Sequence, residues 1–365
     1  MDSSDFVVLA QARDWRRVGF EVILITVAES RGSAPQQLGA LCAIRADGAF
    51  AGSVSGGCLE EEWIERVRAG ETLSLPRVAE YGVDRGETRP LRLPCGGMLR
   101  LVVERIGRTD WIDAVLARTN GRRSVSRILD LADGSIQLSN SDAEPAEATR
   151  LEGRRFITVF SPPWRLLLVG AGELSRLLAE MARPLGYEVL LCDPREAYAP
   201  AALSLGVRYL PGMPDEVIAD LPADSRTAIL ALSHDSSLDD MALLTALKSE
   251  AFFVGALGSR AAAAKRRERL APYFFPEELD RLRSPVGLDL GTRRPGEIAV
   301  AILAELIAVQ NGQNGRAKWT APPDSGMLVP SARRTTDSPT EPGIQGNAGA
   351  RLGGLSDPDR KRESQ

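Results

Sequence analysis

The sequence predicts an α/β protein in which an N-terminal mixed α+β domain is followed by a Rossmann-like, doubly wound parallel-sheet domain. Three observations carry this. Beyond Pro162-Pro163 the chain alternates apolar strand-like runs with helical stretches, as in a sheet buried on both faces. The first such run, Leu166–Val169, ends in Gly170-Ala171-Gly172, and Asp193 lies 21 residues beyond Gly172, in the position of a ribose-binding acid. Before Pro162 the strands are short, and the dipeptides Asp47-Gly48 and Asp133-Gly134 mark hairpins.

The elements follow in order. Residues 5–17 have helical spacing and Ser4 is placed to cap them; 20–27 are rich in β-branched residues and read as a buried strand. Residues 39–45 and 49–54 form a hairpin about Asp47-Gly48, with Cys42 facing the core. A helix is expected over 58–69, strands over 78–81 and 98–104, and a helix over 110–118. The hairpin 123–131/135–138, a polar loop over 139–150 and an edge strand over 154–160 complete domain 1–160. In 161–311, strands at 166–169, 188–192, 227–232 and 252–256 alternate with helices, the last running from Pro295 to about Val309. Residues 312–365 are rich in Gly, Pro, Ser and Arg without apolar periodicity and read as a disordered tail.

Bulk properties exclude several classes. A net charge of −4 argues against nucleic acid as the partner, because phosphate recognition needs a concentrated basic face. No apolar run approaches the roughly 18–20 residues of a membrane span. The acidic start, Met1-Asp2-Ser3-Ser4-Asp5, lacks the layout of a signal peptide, so a cytoplasmic location is expected. Cysteines occur at 42, 58, 95 and 192 with no Cys-x-x-Cys pair, which argues against a structural zinc site.

The chemistry concentrates in a few loops. Arg31-Gly32-Ser33-Ala34-Pro35 and Gly52-Ser53-Val54-Ser55-Gly56-Gly57-Cys58 each end a strand-like run in small residues. Glycines there let backbone amides turn toward a ligand, and Ser33 and Ser55 add hydroxyls. Cys58 opens a helix, where the partial positive charge favours an anion and makes a thiol more nucleophilic and a better soft-metal ligand; the alternative is an inert, buried cysteine. Pro94-Cys95-Gly96-Gly97 echoes Gly56-Gly57-Cys58, so Cys58 and Cys95 could meet across one pocket. In the second domain Gly170, Gly172 and Arg195 suit a phosphate at a helix N-terminus. Strand ends at Ser233-His234-Asp235 and Gly258-Ser259-Arg260 should share the sheet edge with the Gly170 turn.

Taken together these loops resemble the XdhC/CoxI family, accessory factors of xanthine dehydrogenase and related molybdenum hydroxylases. The first-domain loops quoted above are similar to its N-terminal domain. Gly170-Ala171-Gly172, Asp193-Pro194-Arg195, Ser233-His234-Asp235, Gly255–Arg260 and Pro285–Asp289 are similar to its Rossmann-type domain. Glu173 and Ser175 depart from the family pattern, which often has His and Gly there. The resemblance implies a chaperone rather than a turnover enzyme. Such a protein binds the molybdenum cofactor (molybdopterin), protects it while a cysteine desulfurase replaces an oxo ligand by sulfur, and delivers it to a xanthine dehydrogenase-type client. A homodimer is a compatible assembly. It places Cys58 and Cys95 at the molybdenum or sulfur-transfer end, with Arg31, Ser33, Ser55, Gly56, Gly57, Gly96, Gly170, Gly172, Asp193, Arg195, His234, Gly258 and Arg260 around the cofactor. A rival reading, from the βαβ turn and Asp193, is an NAD(P)-dependent oxidoreductase with His234 as proton donor. A second is a non-catalytic scaffold that binds no small molecule.

Overall fold

The computed structural model describes residues 3–32, 37–71, 74–82, 97–141, 149–199 and 204–313. Ser33, the 83–96 loop with Cys95 and Gly96, and nearly all of the 312–365 tail lie outside the described residues, as does the Ser4 side chain.

The first half is built on a five-stranded antiparallel sheet in the order β3-β2-β1-β5-β4. Its strands are β1 (Val22–Arg31), β2 (Leu41–Arg45), β3 (Phe50–Gly52), β4 (Arg77–Tyr81) and β5 (Met98–Arg105). Helix α2 (Cys58–Arg68) buries Leu59, Trp63 and Val67 against one face, beside Ile25, Cys42, Leu99 and Leu101. Helices α1 (Ser3–Arg17) and α3 (Asp110–Asn120) cover the other face through Leu9, Ala12, Ile112 and Val115. β1 runs four residues past the expected Val27, because after an irregularity between Val27 and Glu29 it goes on pairing with β5 as far as Arg31↔Met98. Pairing partners, invisible in the strand's own composition, set its length.

A second antiparallel sheet has the order β7-β6-β9-β8, made of β6 (Val125–Asp130), β7 (Ile136–Asn140), β8 (Arg150–Glu152) and β9 (Arg155–Phe160). The strand expected at an edge, β9, is flanked on both sides: the short β8 folds back at Glu152↔Arg155 and takes the edge instead. Part of the expected 139–150 loop is likewise strand, at the end of β7 and the start of β8.

The parallel sheet has the order β12-β11-β10-β13-β14-β15, the doubly wound arrangement. It comprises β10 (Arg165–Val169), β11 (Glu188–Cys192), β12 (Arg208–Leu210), β13 (Thr227–Ala231), β14 (Phe253–Ala256) and β15 (Leu282–Arg283). The crossovers carry α4 (Glu173–Ala182), α5 (Pro214–Asp220), α6 (Ser236–Ala246), α7 (Arg260–Leu270) and α8 (Pro276–Asp280), and α9 (Pro295–Gln310) packs against α4. Arg122, the one described non-glycine residue with positive φ, ties the two halves: its guanidinium donates to both Asp224 carboxylate oxygens (2.9 and 2.8 Å) and to the Pro163 carbonyl (2.7 Å).

Candidate cofactor-binding sites

In the first half, β1 and β3 end and β5 begins at one edge of the sheet. Arg31 pairs with Met98, and a Cβ on Gly32 would lie 3.5 Å from Gly97 Cα. The chain leaving β1 thus lies against Gly97 at the entry to β5. Arg31 is mostly exposed and its guanidinium meets Glu29 at 2.6 Å, while Glu29 also pairs with Arg100 across the sheet.

The loop between β3 and α2 is organised by Glu60, a residue to which the sequence assigned no role. Its buried carboxylate accepts from the Ser53 hydroxyl (2.7 Å), the amides of Val54 (2.6 Å), Ser55 (2.9 Å) and Gly57 (3.0 Å), and the Ser55 hydroxyl. Gly56 N–H is taken by Ser53 Oγ at 3.0 Å, and Ser55 Oγ accepts from Leu59 N–H at 2.8 Å. Burial pushes the Glu60 carboxyl up, but the hydroxyls of Ser55 and Ser53 and the loop amides outweigh it and hold it down at about 2.

This corrects the reading of the loop as a set of amides and hydroxyls aimed at a ligand. The concavity is an anion nest, and the chain's own carboxylate fills it. The loop presents outward the bare faces of Gly56 and Gly57, where a Cβ on Gly57 would meet nothing within 4 Å, and the exposed Cys58 at the first turn of α2. Cys42 and Cys192, in contrast, are core residues, both pushed up to about 12 by burial. The signal for Glu60 was the capping arrangement, an acid three residues after the helix cap.

In the parallel sheet the register Val169↔Ala231↔Ala256 puts the Gly170, His234 and Gly258 turns on one carboxyl edge, as expected. Gly170 has φ +96°, and a Cβ there would sit 2.8 Å from Ser233 Cα, so the two turns meet backbone to backbone. Ser175, in place of the third glycine of the motif, turns its hydroxyl onto the Gly170 carbonyl and so keeps the turn tight. A Cβ on Gly172 would meet open space, leaving the start of α4 approachable.

Asp193 is fully buried and its carboxylate is already engaged. Oδ2 accepts from Ala171 N–H (2.8 Å) and a terminal Arg195 nitrogen (2.7 Å); Oδ1 accepts from Arg195 N and Nε (both 2.9 Å). Burial raises the Asp193 carboxyl, and the Arg195 and Ala171 contacts more than offset it, so it is held below its ordinary value. Asp193 therefore braces the turn, and the Arg195 fork is spent on Asp193 with Tyr198 beneath it (4.4 Å). The sequence pattern cannot distinguish an acid offered to a ribose from one consumed by the residue two positions on.

His234 is exposed, and Asp235 caps α6 by accepting from Ser237 N–H at 2.8 Å. Gly258 and Arg260 line a cleft of about 370 Å³ together with the 285–292 loop, where Arg260 meets Asp289 at 2.6 Å. Behind this edge the buried Arg266 donates to Asp239 (3.0 Å) and to the Leu257 carbonyl (2.9 Å), while Asp239 accepts from Ser233 N–H (3.0 Å). Glu305 similarly holds Gly287 N–H (2.7 Å) and Arg283 (2.9 Å). Arg266, Asp239 and Glu305 were not singled out by motif, since each acts on a loop 6 to 18 residues away or more.

The fold and its two loop-bearing edges define a class: an α+β domain presenting an exposed thiol, followed by a Rossmann-type domain whose carboxyl edge is preformed. Comparison with known proteins narrows it. Residues 15–82 match the profile of the XdhC and CoxI family and residues 166–306 that of the XdhC Rossmann domain; the chain belongs to this family. It is 29% identical over 300 residues to the molybdenum cofactor insertion chaperone PaoD of Escherichia coli, covering 80% of this chain and 84% of that protein. It is 24% identical over 319 residues to a Bacillus subtilis protein described as a probable subunit of xanthine dehydrogenase, covering 79% and 92%. A crystal structure described as a xanthine dehydrogenase from Bacillus halodurans shares the fold, with a TM-score of 0.68 at 21% identity over 86% of this chain and 98% of that one. None of the described helices is long and apolar enough to cross a membrane.

Proposed function

We propose that the protein binds the molybdenum cofactor, shields it during sulfuration by a cysteine desulfurase, and delivers it to a xanthine dehydrogenase-type hydroxylase, all in the cytoplasm. The observation that carries this reading is family membership together with similarity along 80% of the chain to a relative named as a molybdenum cofactor insertion chaperone. The 1–160 and 161–311 domains would each contribute one edge, and a homodimer is compatible with the role.

The residues fit such a cargo in part. Cys58 supplies an accessible soft donor at a helix N-terminus, suited to metal–sulfur chemistry, and Cys95, which lies outside the described residues, would be the second thiol. Gly56 and Gly57 let a flat group approach without a Cβ in the way. Arg31 remains for an anionic substituent at the cost of its exposed pair with Glu29, whereas the nest itself is closed by Glu60. In the Rossmann domain the open start of α4 at Gly172, with Gly170 shaping the turn, and the cleft beside Gly258 and Arg260 are the places for a phosphate-bearing end; His234 stands at the same edge. The engaged state of Asp193 and Arg195 favours this over an NAD(P)-dependent dehydrogenase.

The test is to purify the protein from a host that makes the cofactor and to assay molybdenum and the oxidised pterin. Near-stoichiometric loading that falls at least tenfold in Cys58→Ser supports the reading. Repeated recovery of cofactor-free protein unable to activate a molybdenum hydroxylase overturns it.

A further inference from the structure

At the end of the first sheet away from Cys58, where β1 begins at Val22, β2 ends at Arg45 and β5 ends at Arg105, arginines crowd around a few carboxylates. Glu21 is shared by Arg16 (2.9 Å) and Arg105, and Asp113 by Arg17 (2.9 Å) and Arg13 (3.6 Å). The Asp47 carboxylate meets Arg45 at 2.7 Å, and its backbone carbonyl accepts from Arg68 Nε at 3.1 Å. Asp14 adds a fourth carboxylate, paired with Arg13 at 2.8 Å. These six arginines outnumber the four acids, in a chain whose net charge is −4. Arg105 and Arg16 hold the Glu21 carboxyl below its ordinary value, and Arg45 holds Asp47 at about 2. Among them the Val18-Gly19-Phe20 turn closes α1: Phe20 N–H donates to the Trp15 carbonyl (3.0 Å), and Arg16 donates to the Phe20 carbonyl (2.7 Å). Arg45 lies over the Phe20 ring at 4.3 Å, yet Phe20 stays 38% exposed and Val18 71%.

We propose that this face docks an acidic segment of a partner protein, with an apolar side chain of that segment seated against Val18 and Phe20 and its carboxylates taken by the surrounding arginines. Charge complementarity selects the partner: the local excess of guanidinium calls for acids, and arginine beside an aromatic ring is the composition that protein interfaces favour. The present ion pairs are largely exposed and each contributes little, so the guanidinium groups can change partner at small cost. The acids interspersed among them break up any continuous basic stripe. That disfavours a phosphate backbone or an anionic bilayer, whereas the separate carboxylates of a peptide can take up individual guanidinium groups. The ten residues of β1 put about 30 Å between this face and the loops on the Cys58 side, so a docked partner leaves the thiol clear. The inference is independent of what the thiol edge carries.

The full-length protein is titrated with a fluorescent peptide of aspartate and leucine, followed by anisotropy. A peptide with glycine in place of leucine, a DNA duplex and phosphatidylserine vesicles serve as comparisons. Submillimolar binding of the leucine peptide is expected, roughly tenfold weaker for the glycine peptide and weakened roughly tenfold between about 50 mM and about 500 mM salt. Arg17→Glu and Val18→Asp change side chains that are more than half exposed. Each should lower affinity at least fivefold while the unfolding midpoint stays at the wild-type value. Arg294→Glu makes the same charge change at an exposed position of the parallel-sheet half and should leave binding as it is. The inference is overturned if neither peptide binds at millimolar concentration, if the glycine peptide binds as well as the leucine one, or if Arg294→Glu weakens binding as much as Arg17→Glu. Tighter binding of the duplex or the vesicles than of the leucine peptide also overturns it. Cofactor loading is scored separately, so failure here leaves the proposed function standing and the reverse also holds.

Discussion

Glu60→Gln is the substitution that most directly tests how the thiol-bearing loop is built. The carboxylate is held at about 2 against an ordinary 4.5. At 1.36 kcal/mol per pK unit, the ionised group contributes about 3 kcal/mol of stability at neutral pH. Glutamine keeps the shape and one acceptor oxygen, but it turns an NH₂ toward the donors now served by Oε2, among them Gly57 N–H. Because the folded-state value lies below the unfolded one, the contribution is fully present above the ordinary carboxylate range and fades as pH falls toward the folded value. Urea unfolding of wild type and variant should therefore differ by about 3 kcal/mol at neutral pH, and the gap should shrink by roughly 2 kcal/mol between about pH 5 and pH 3. A gap under about 0.5 kcal/mol at neutral pH, or one that does not change with pH, would refute the assignment of Glu60 as the ion filling the nest.

Other substitutions probe the remaining edges. Gly170→Ala should cost roughly 2–4 kcal/mol in thermal or urea unfolding, since it combines a positive φ with a Cβ 2.8 Å from Ser233 Cα. Arg266→Met leaves Asp239 buried without its cation and should cost about 3–5 kcal/mol, with the 257 and 284 loops gaining amide exchange. Arg122→Ala removes a nearly buried two-pronged pair to Asp224 and should cost about 1–3 kcal/mol in the same assay. In a Cys95→Ser background, a maleimide should label Cys58 rapidly and Cys42 and Cys192 only on unfolding; equal labelling of all three would contradict the burial of the latter two.

Local pattern and long-range chemistry are not equally legible in the sequence. The central strands of the parallel sheet can be read because they are self-contained apolar runs, as at Leu166–Val169 before the Gly170 turn, and Asp47-Gly48 fixes the β2–β3 hairpin just as locally. The position of β9 escapes such a reading because edge or centre depends on whether another strand arrives, and β8 is only three residues long. The sites are legible as loops but not as chemistry. Ser55, Asp193 and Arg195 have the residue types of ligand contacts, yet whether such a group faces a ligand or its own chain depends on partners that spacing does not reveal.

Those partners share one construction. Glu60 holds the amides of the 53–57 loop, Asp193 holds Ala171, Asp239 holds Ser233 and Glu305 holds Gly287. At each of these four turns a buried carboxylate satisfies inward N–H groups and fixes the backbone, which would lower the ordering cost of binding a ligand. The same construction limits what is left for a ligand. The charges that make the turns rigid are internal, so recognition falls to glycine surfaces, to the open start of α4, and to side chains such as Cys58 and Arg260 that point out of the frame. A rigid frame with few committed outward charges suits the proposed role, in which a cargo held by its shape and its sulfur must also be released.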